Sequence, residues 1–108
     1  MAELVVFSTA DTVELAQTIA VALVETGAAA CVNIIPGVRS VYRWEGKVCN
    51  EVEHMLLIKS SSERFEHVRA TIRRLHTYTL PEVIAVPVAA GDSSYLSWLN
   101  SALDAQNS

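Results

Sequence analysis

The sequence is poor in the residues and motifs by which many enzymes can be identified. It has two cysteines, Cys31 and Cys49, too few for a disulfide framework, and we expect both to be free thiols in a reducing compartment. It contains no serine nucleophile elbow, no His-Glu-x-x-His zinc motif, no glycine-rich phosphate loop and no Cys-x-x-Cys pair. We therefore expect a protein that is not an enzyme.

Positive charge and long apolar runs are scarce as well. The net charge is −4, and the one adjacent basic pair, Arg73-Arg74, gives no footprint for nucleic acid. No apolar run approaches the roughly 18 residues of a membrane span, and the N-terminal residues enter a strand pattern without the basic segment of a signal peptide. These absences predict a cytoplasmic protein whose partners are neither nucleic acid nor membrane.

The residues that are present predict a single domain over residues 1–108. Hydrophobic residues make up 51 % of the chain and charged residues 19 %, a balance typical of a folded globular domain. Apolar periodicity and capping residues predict a strand at 4–9, a helix from Asp11 to Gly27, extended segments at 28–47 and 48–59, a helix from Ser60 or Ser61 to His76, a strand at 83–89, and a short helix from Gly91. This βαββαβ order with a terminal helix predicts a ferredoxin-like α+β fold with strand order 4-1-3-2.

The two adjacent extended segments predict a hairpin too long for its own domain. Strands usually run about 3 to 10 residues, so longer arms should overhang the body and be covered by other copies of the chain. We expect a three-residue loop of Trp44, Glu45 and Gly46, with Arg43 facing Lys47. This register pairs Tyr42 with Val48 and Val38 with Val52 on an apolar face. On the other, charged face it pairs Arg39 with Glu51 and places Glu53 diagonal to Arg39.

Three separated blocks of the chain carry a family resemblance. They are Ala-Ala-Cys-Val-Asn-Ile-Ile-Pro-Gly-Val-Arg-Ser-Val-Tyr-Arg-Trp-Glu-Gly-Lys at 29–47, Leu-His-Thr-Tyr-Thr-Leu-Pro-Glu-Val-Ile-Ala-Val-Pro at 75–87, and Gly-Asp at 91–92 with Tyr-Leu-Ser-Trp-Leu at 95–99. Together with Leu-Ile-Lys at 57–59 they resemble the CutA family of divalent-cation tolerance proteins. The resemblance implies a cytoplasmic homotrimer, similar in architecture to the PII signalling proteins and linked to copper and other divalent cations.

The chain departs from this family near the expected metal ligands. Copper-binding members are associated with a thiol near the end of the first strand and with histidines before a tyrosine. The corresponding residues here are Ser8, Leu75 and His76, so only His76 keeps a ligand side chain. The family's proline before that tyrosine is replaced by Thr77. Because Cu(I) selects thiolate and thioether ligands, these changes weaken a soft-metal site.

A ligand cleft is expected around the end of the second predicted helix. His76 either binds a metal ion there or interacts with the negative end of the helix dipole. Lys59, Tyr78 and Glu82 are expected to converge on it at a seam between subunits, where they suit a hydrated metal ion or a small anion. Trp44, at the hairpin tip, is expected to insert its indole into a neighbouring subunit.

Each cysteine has both a structural and a chemical interpretation. Cys31 lies in an apolar strand, which favours a small core side chain over a ligand. Cys49 is expected on the charged face of the hairpin near Glu51, where its thiol is more accessible.

Three functions remain compatible with the sequence. The first is a trimer that binds divalent cations, copper among them, and gives tolerance to them. The second is a PII-like regulatory or scaffolding trimer that binds a small metabolite or a protein partner. The third, and the least supported, is a hydrolase or isomerase that uses His76 and Glu82.

Overall fold

The computed structural model describes residues 2–104 and contains one four-stranded antiparallel sheet and three helices. In chain order the elements are β1 (Glu3–Ala10), α1 (Val13–Glu25), β2 (Cys31–Trp44), β3 (Lys47–Ser61), α2 (Phe65–Leu75), β4 (Ile84–Pro87) and α3 (Ser93–Asp104). A 3₁₀ turn, Ser62–Arg64, leads into α2. No helix within residues 2–104 is long and apolar enough to cross a membrane.

The sheet order is β2-β3-β1-β4, which confirms the predicted order 4-1-3-2. β1 lies in the centre and pairs with β3 on one side and with β4 on the other. β4 is shorter than the predicted strand at 83–89, and its last residue, Pro87, pairs opposite Leu4. As predicted, this proline lies on an edge strand, where a missing backbone donor is tolerated.

The core fills the space between one face of the sheet and helices α1 and α2. Side chains of a strand alternate between its two faces, so every second residue of β1 and β3 points at the helices. Burying one large aliphatic side chain contributes about 1.5 to 3 kcal/mol, and this layer accounts for much of the apolar burial. Its largest fully buried members are Val6, Leu56 and Ile58 of the sheet, Ile19 and Leu23 of α1, and Val68 and Ile72 of α2.

Two helix starts differ from the sequence prediction. α1 is capped by Thr12 and not by Asp11: the Thr12 hydroxyl accepts a hydrogen bond from the Leu15 N–H at 3.1 Å, and the Thr12 backbone is still extended. The second helix does not begin at a serine cap, because the tight turn precedes it and the Ser61 side chain makes no capping hydrogen bond. Either cap suits the same helix, so the element order is unaffected.

The hairpin of β2 and β3 extends beyond the sheet body. β1 pairs with β3 only from His54 to Ser61, so residues 38–44 and 47–53 pair with each other alone. We call residues 38–53 the arm. A two-stranded ribbon is marginally stable alone in water. The arm also exposes valines on one face, among them Val48 at 66 % and Val52 at 50 % exposure.

The predicted hairpin register is wrong along the arm. The turn consists of two residues, Glu45 and Gly46, with φ of 50° and 78°, so Trp44 faces Lys47 and Arg43 faces Val48. Positive φ at both positions is the pattern of a type I′ turn, whose twist matches that of paired strands. The sequence favoured a longer loop because a two-residue turn shifts the register by one residue and mixes the apolar and charged faces.

A bulge explains where the register changes. In the sheet body Cys31 faces Lys59 and Ile35 faces Met55, which follows the predicted alignment. Beyond Ile35 the pairing shifts by one residue, because Pro36 and Gly37 together occupy the space opposite His54. Gly37 has φ of 72°, a conformation that glycine adopts without strain.

Beyond the bulge, each side chain of β2 shares a face with different residues of β3 than the predicted register gives. In place of the predicted pairs, Tyr42 faces Cys49, Val38 faces Glu53 and Arg39 faces Val52. The apolar and charged faces are therefore not separated as the sequence predicted: aromatic and acidic side chains share one face of the arm.

Candidate functional site

A groove of about 660 Å³ lies between the arm and the segment that follows α2. It opens on the sheet face that carries Thr9 and Glu53, away from α1 and α2. The lining residues are Thr9, Ser40, Val41, Tyr42, Trp44, Glu53, Thr77, Tyr78, Thr79, Leu80 and Glu82. The structure therefore brings together three residues of the expected cleft, Trp44, Tyr78 and Glu82, while His76 and Lys59 lie outside the lining.

Glu53 is a buried carboxylate at the base of the arm. The residue is 6 % exposed, and its Oε2 accepts a hydrogen bond from the Tyr78 hydroxyl at 2.6 Å. Neither of the two ion pairs found within residues 2–104 includes it. A buried carboxylate without a cation is costly, so Glu53 makes the groove attractive for positive charge.

Glu82 faces the groove from the other side. Partial burial, and to a smaller degree the negative charge of Glu53, raise the pKa of the Glu82 carboxyl above its ordinary value. Two carboxylates on one groove repel each other, and either a proton or a bound cation relieves the repulsion.

Two tyrosines donate to carboxylates in this region. Burial and the hydrogen bond to Glu53 raise the pKa of Tyr78, so its phenol stays protonated and keeps donating. Tyr42, on the arm, donates to Glu51, and this hydrogen bond is the main cause that raises the pKa of Tyr42 to about 12. Both phenols therefore act as neutral donors at physiological pH.

His76 lies beneath Tyr78 with both ring nitrogens in hydrogen bonds. Nδ1 accepts from the Tyr78 backbone N–H at 3.1 Å, so Nε2 carries the proton and donates to the Thr9 carbonyl at 2.6 Å. The His76 and Tyr78 ring centroids are 4.4 Å apart. The neutral ring carries no positive charge that could interact with the negative end of the helix dipole. It could bind a metal ion only after losing one of these two hydrogen bonds.

The two family positions that differ here contribute no other ligand. Ser8 is fully buried on the helix side of β1, and its hydroxyl has no hydrogen-bond partner among the described residues. Leu75 packs against the hydrophobic core. Within residues 2–104 no group of three His, Cys, Asp or Glu side chains lies close enough to hold a metal ion.

Lys59 and the cysteines lie at other places in the sheet. Lys59 pairs with Cys31 in the sheet body and donates to the Asn33 side chain. It is six residues along β3 from Glu53, or about 20 Å at 3.4 Å per residue, so it does not reach the groove of its own chain. Cys31 is half-buried on the same face as Lys59. It therefore lies outside the core between sheet and helices, whereas the sequence predicted a core side chain. Cys49 is half-buried opposite Tyr42.

Sequence reasoning missed Glu53 as a groove residue. It placed Glu53 diagonal to Arg39, because the expected register had no bulge. The signal that could have found it is Pro36-Gly37 within a long strand, since a glycine there often marks a bulge.

We expect Tyr78→Phe to lower the free energy of unfolding by about 1 to 3 kcal/mol, because it leaves the buried Glu53 carboxylate without its donor. Chemical denaturation at fixed protein concentration measures the change. The matched control is Tyr95→Phe on α3, whose exposed hydroxyl makes no hydrogen bond with the described residues and whose loss should cost less than about 0.5 kcal/mol. Equal effects of the two substitutions would contradict the role assigned to Tyr78.

We expect Glu82→Gln to raise the melting temperature near neutral pH and to lose this benefit in acid. A raised pKa means that the folded chain binds the Glu82 proton more tightly than the unfolded chain, so its ionised form destabilises the fold. The stabilisation by glutamine is therefore complete above the folded-state pKa and disappears below the ordinary value of 4.5. Thermal melts across this range measure it, with Glu45→Gln at the exposed turn as control; a benefit that persists in acid would refute the explanation.

Comparisons with known proteins agree with this architecture. The sequence profile of the family described as "CutA1 divalent ion tolerance protein" matches residues 4–102. The "Divalent-cation tolerance protein CutA" of Thermus thermophilus is 47 % identical over 97 residues, covering 90 % of this chain and 94 % of that protein. The "Protein CutA, chloroplastic" of Arabidopsis thaliana is 42 % identical over 96 residues, covering 89 % of this chain and 53 % of that protein.

Solved structures show the same fold. The crystal structure of CutA from Xylella fastidiosa superposes with a TM-score of 0.91 at 39 % identity, covering 94 % of this chain and 98 % of that chain. A structure described as the periplasmic divalent cation tolerance protein CutA from Archaeoglobus fulgidus superposes with a TM-score of 0.89 at 36 % identity, covering 95 % of this chain and 99 % of that chain. A profile match over nearly the whole chain, relatives above 40 % identity and a common fold together show that the chain belongs to the CutA1 family of divalent-ion tolerance proteins.

Proposed function

We propose that this protein is a homotrimer that takes part in divalent-cation tolerance by binding the cations at clefts between its subunits. The observation that carries the proposal is the Glu53 carboxylate, which is 6 % exposed, faces a groove with Glu82 and forms no ion pair within residues 2–104. A cation bound there would offset the burial of one carboxylate and its repulsion with the other.

The ligand atoms that line the groove favour cations that prefer oxygen ligands. Two carboxylates and the hydroxyls of threonine, serine and tyrosine line it, and it has no thiolate. Such ligands suit hard divalent ions more than Cu(I). His76 is the nearest nitrogen donor that the sequence predicts, and through it copper or another borderline divalent ion remains a candidate. A bound ion would take Nε2 in place of the Thr9 carbonyl or Nδ1 in place of the Tyr78 N–H.

One chain supplies too few ligands for a complete coordination shell. No cluster of three acidic, histidine or cysteine side chains is close enough to hold an ion within residues 2–104, whereas divalent ions take four or more ligands. A neighbouring subunit or water would supply the others. This shortfall supports a cation site that is completed by assembly.

The arm supports association between copies of the chain. Its ribbon has no third strand within the described chain, and it carries valines that are at least half exposed. Covering them with another copy removes apolar surface from water and stabilises the ribbon. The number of three subunits comes from the family resemblance.

The cytoplasm is the location that we propose, on the sequence prediction alone. Relatives named as chloroplastic or periplasmic show that the family occupies more than one compartment.

A second candidate function is a PII-like regulatory or scaffolding trimer that binds a small metabolite or a protein partner. The observation in its favour is the size and lining of the groove, since about 660 Å³ with aromatic and apolar walls exceeds what a single ion fills.

We expect native mass spectrometry at micromolar concentration to give the mass of three chains. Val48→Glu combined with Val52→Glu, which replaces the exposed valines of the arm by acidic side chains, should shift the mass towards monomer. The matched control is Val21→Glu on the outer face of α1, where valine is 54 % exposed, and it should remain trimeric. A wild-type monomer would overturn the assembly.

We expect equilibrium dialysis with Cu²⁺ and Zn²⁺ to show binding that Glu53→Gln weakens at least about tenfold. Glutamine still accepts the Tyr78 hydroxyl but removes the charge. His76→Ala should weaken binding if the imidazole is a ligand, and binding equal to the control His67→Ala, an exposed residue of α2, removes it from the site. No bound metal in the wild-type trimer would refute the cation function.

A further inference from the structure

The groove combines negative charge with aromatic walls and has no basic residue. Of its eleven lining residues three are aromatic, two are carboxylates, and none is lysine, arginine or histidine. The aromatic residues, Tyr42, Trp44 and Tyr78, come from both sides of the groove. Aromatic faces attract cations through their quadrupole, most strongly where water is partly excluded.

The buried carboxylate has room for one more donor. Tyr78 donates to Oε2 of Glu53, and Oε1 of Glu53 receives no hydrogen bond from the described residues. Glu82 lines the same groove. An incoming group that carries both a positive charge and several N–H donors would satisfy these carboxylate oxygens directly.

The apolar side chains of the lining indicate that a ligand of this groove has an apolar part as well as a positive charge. Leu80 is 65 % exposed and Trp44 is 42 % exposed, and both line the groove. A hydrated metal ion gains nothing from contact with such side chains. An alkyl or aryl body loses water by covering them, and the volume of the groove lies within the range of small-molecule sites.

We propose that the groove binds a small organic ammonium compound, with its primary ammonium on Glu53 and Glu82 and its alkyl or aryl body on Trp44 and Leu80. The proposal rests on the second candidate function, for which it names the class of metabolite. A primary ammonium is preferred to a quaternary one, because only the primary ion has N–H donors for the free oxygen of Glu53.

Isothermal titration of the full-length protein with 2-phenylethylammonium tests the proposal. We expect saturable binding, at least about tenfold weaker binding of the neutral isostere 2-phenylethanol, and weaker binding of the trimethylammonium analogue. Glu53→Gln and, separately, the more exposed Glu82→Gln should each weaken the amine at least about fivefold, whereas Glu45→Gln at the arm's turn should leave it unchanged. Equal affinity for the amine and the alcohol, or equal effects of all three substitutions, would overturn the assignment.

The same titration repeated with Zn²⁺ separates this inference from the cation function. Competition between Zn²⁺ and the amine would support the amine site and place both ligands in one groove. Zn²⁺ binding without amine binding would overturn the ammonium site and leave the cation function standing. Amine binding without binding of Zn²⁺ or Cu²⁺ would support the ammonium site and refute the cation function.

Discussion

The hydrogen bond from Tyr78 to Glu53 holds the candidate site together. It joins the segment after α2 to the base of the arm, and its acceptor, Glu53, is a residue that is 6 % exposed. The bond satisfies one oxygen of Glu53 without neutralising its charge. The neutral Tyr78 hydroxyl therefore fixes the geometry of the groove, while the carboxylate of Glu53, which forms no ion pair within residues 2–104, keeps the groove negative.

The position of Tyr78 depends in turn on His76. The imidazole bridges the end of β1, through the Thr9 carbonyl, and the backbone of Tyr78, so the ends of β1 and α2 are fixed relative to each other. This arrangement requires neutral imidazole with the proton on Nε2. These two hydrogen bonds explain the histidine without a metal ion. A metal ion bound at His76 would have to replace one of them, and so it would weaken the support for Tyr78.

Sequence reasoning predicted what depends on local patterns and missed what depends on a single backbone irregularity. Periodicity identified the element order, because alternation and helical spacing are repeated over many residues. That βαββαβ order then predicted the sheet order through the ferredoxin-like arrangement. The register of the arm was wrong because one extra residue at Pro36-Gly37 reverses the faces beyond it. Tyr78 and Glu82 were recognised through the family blocks, whereas Glu53 required the true register.

The bulge decides which side chains of the arm lie on the face of the groove. Before it, odd-numbered residues of β2 share a face with Lys59 and Met55; beyond it, even-numbered residues do, and so Tyr42 joins the face of Glu53. Without the extra residue Tyr42 would lie on the face of Val48, and the groove would lose an aromatic wall. Because the exposed Val48 and Val52 occupy the face opposite Glu53, a subunit contact on them would leave the groove face of the ribbon free for a ligand and for residues of another subunit. Such a contact would also stiffen the ribbon that carries one wall of the groove, so assembly and binding would favour each other.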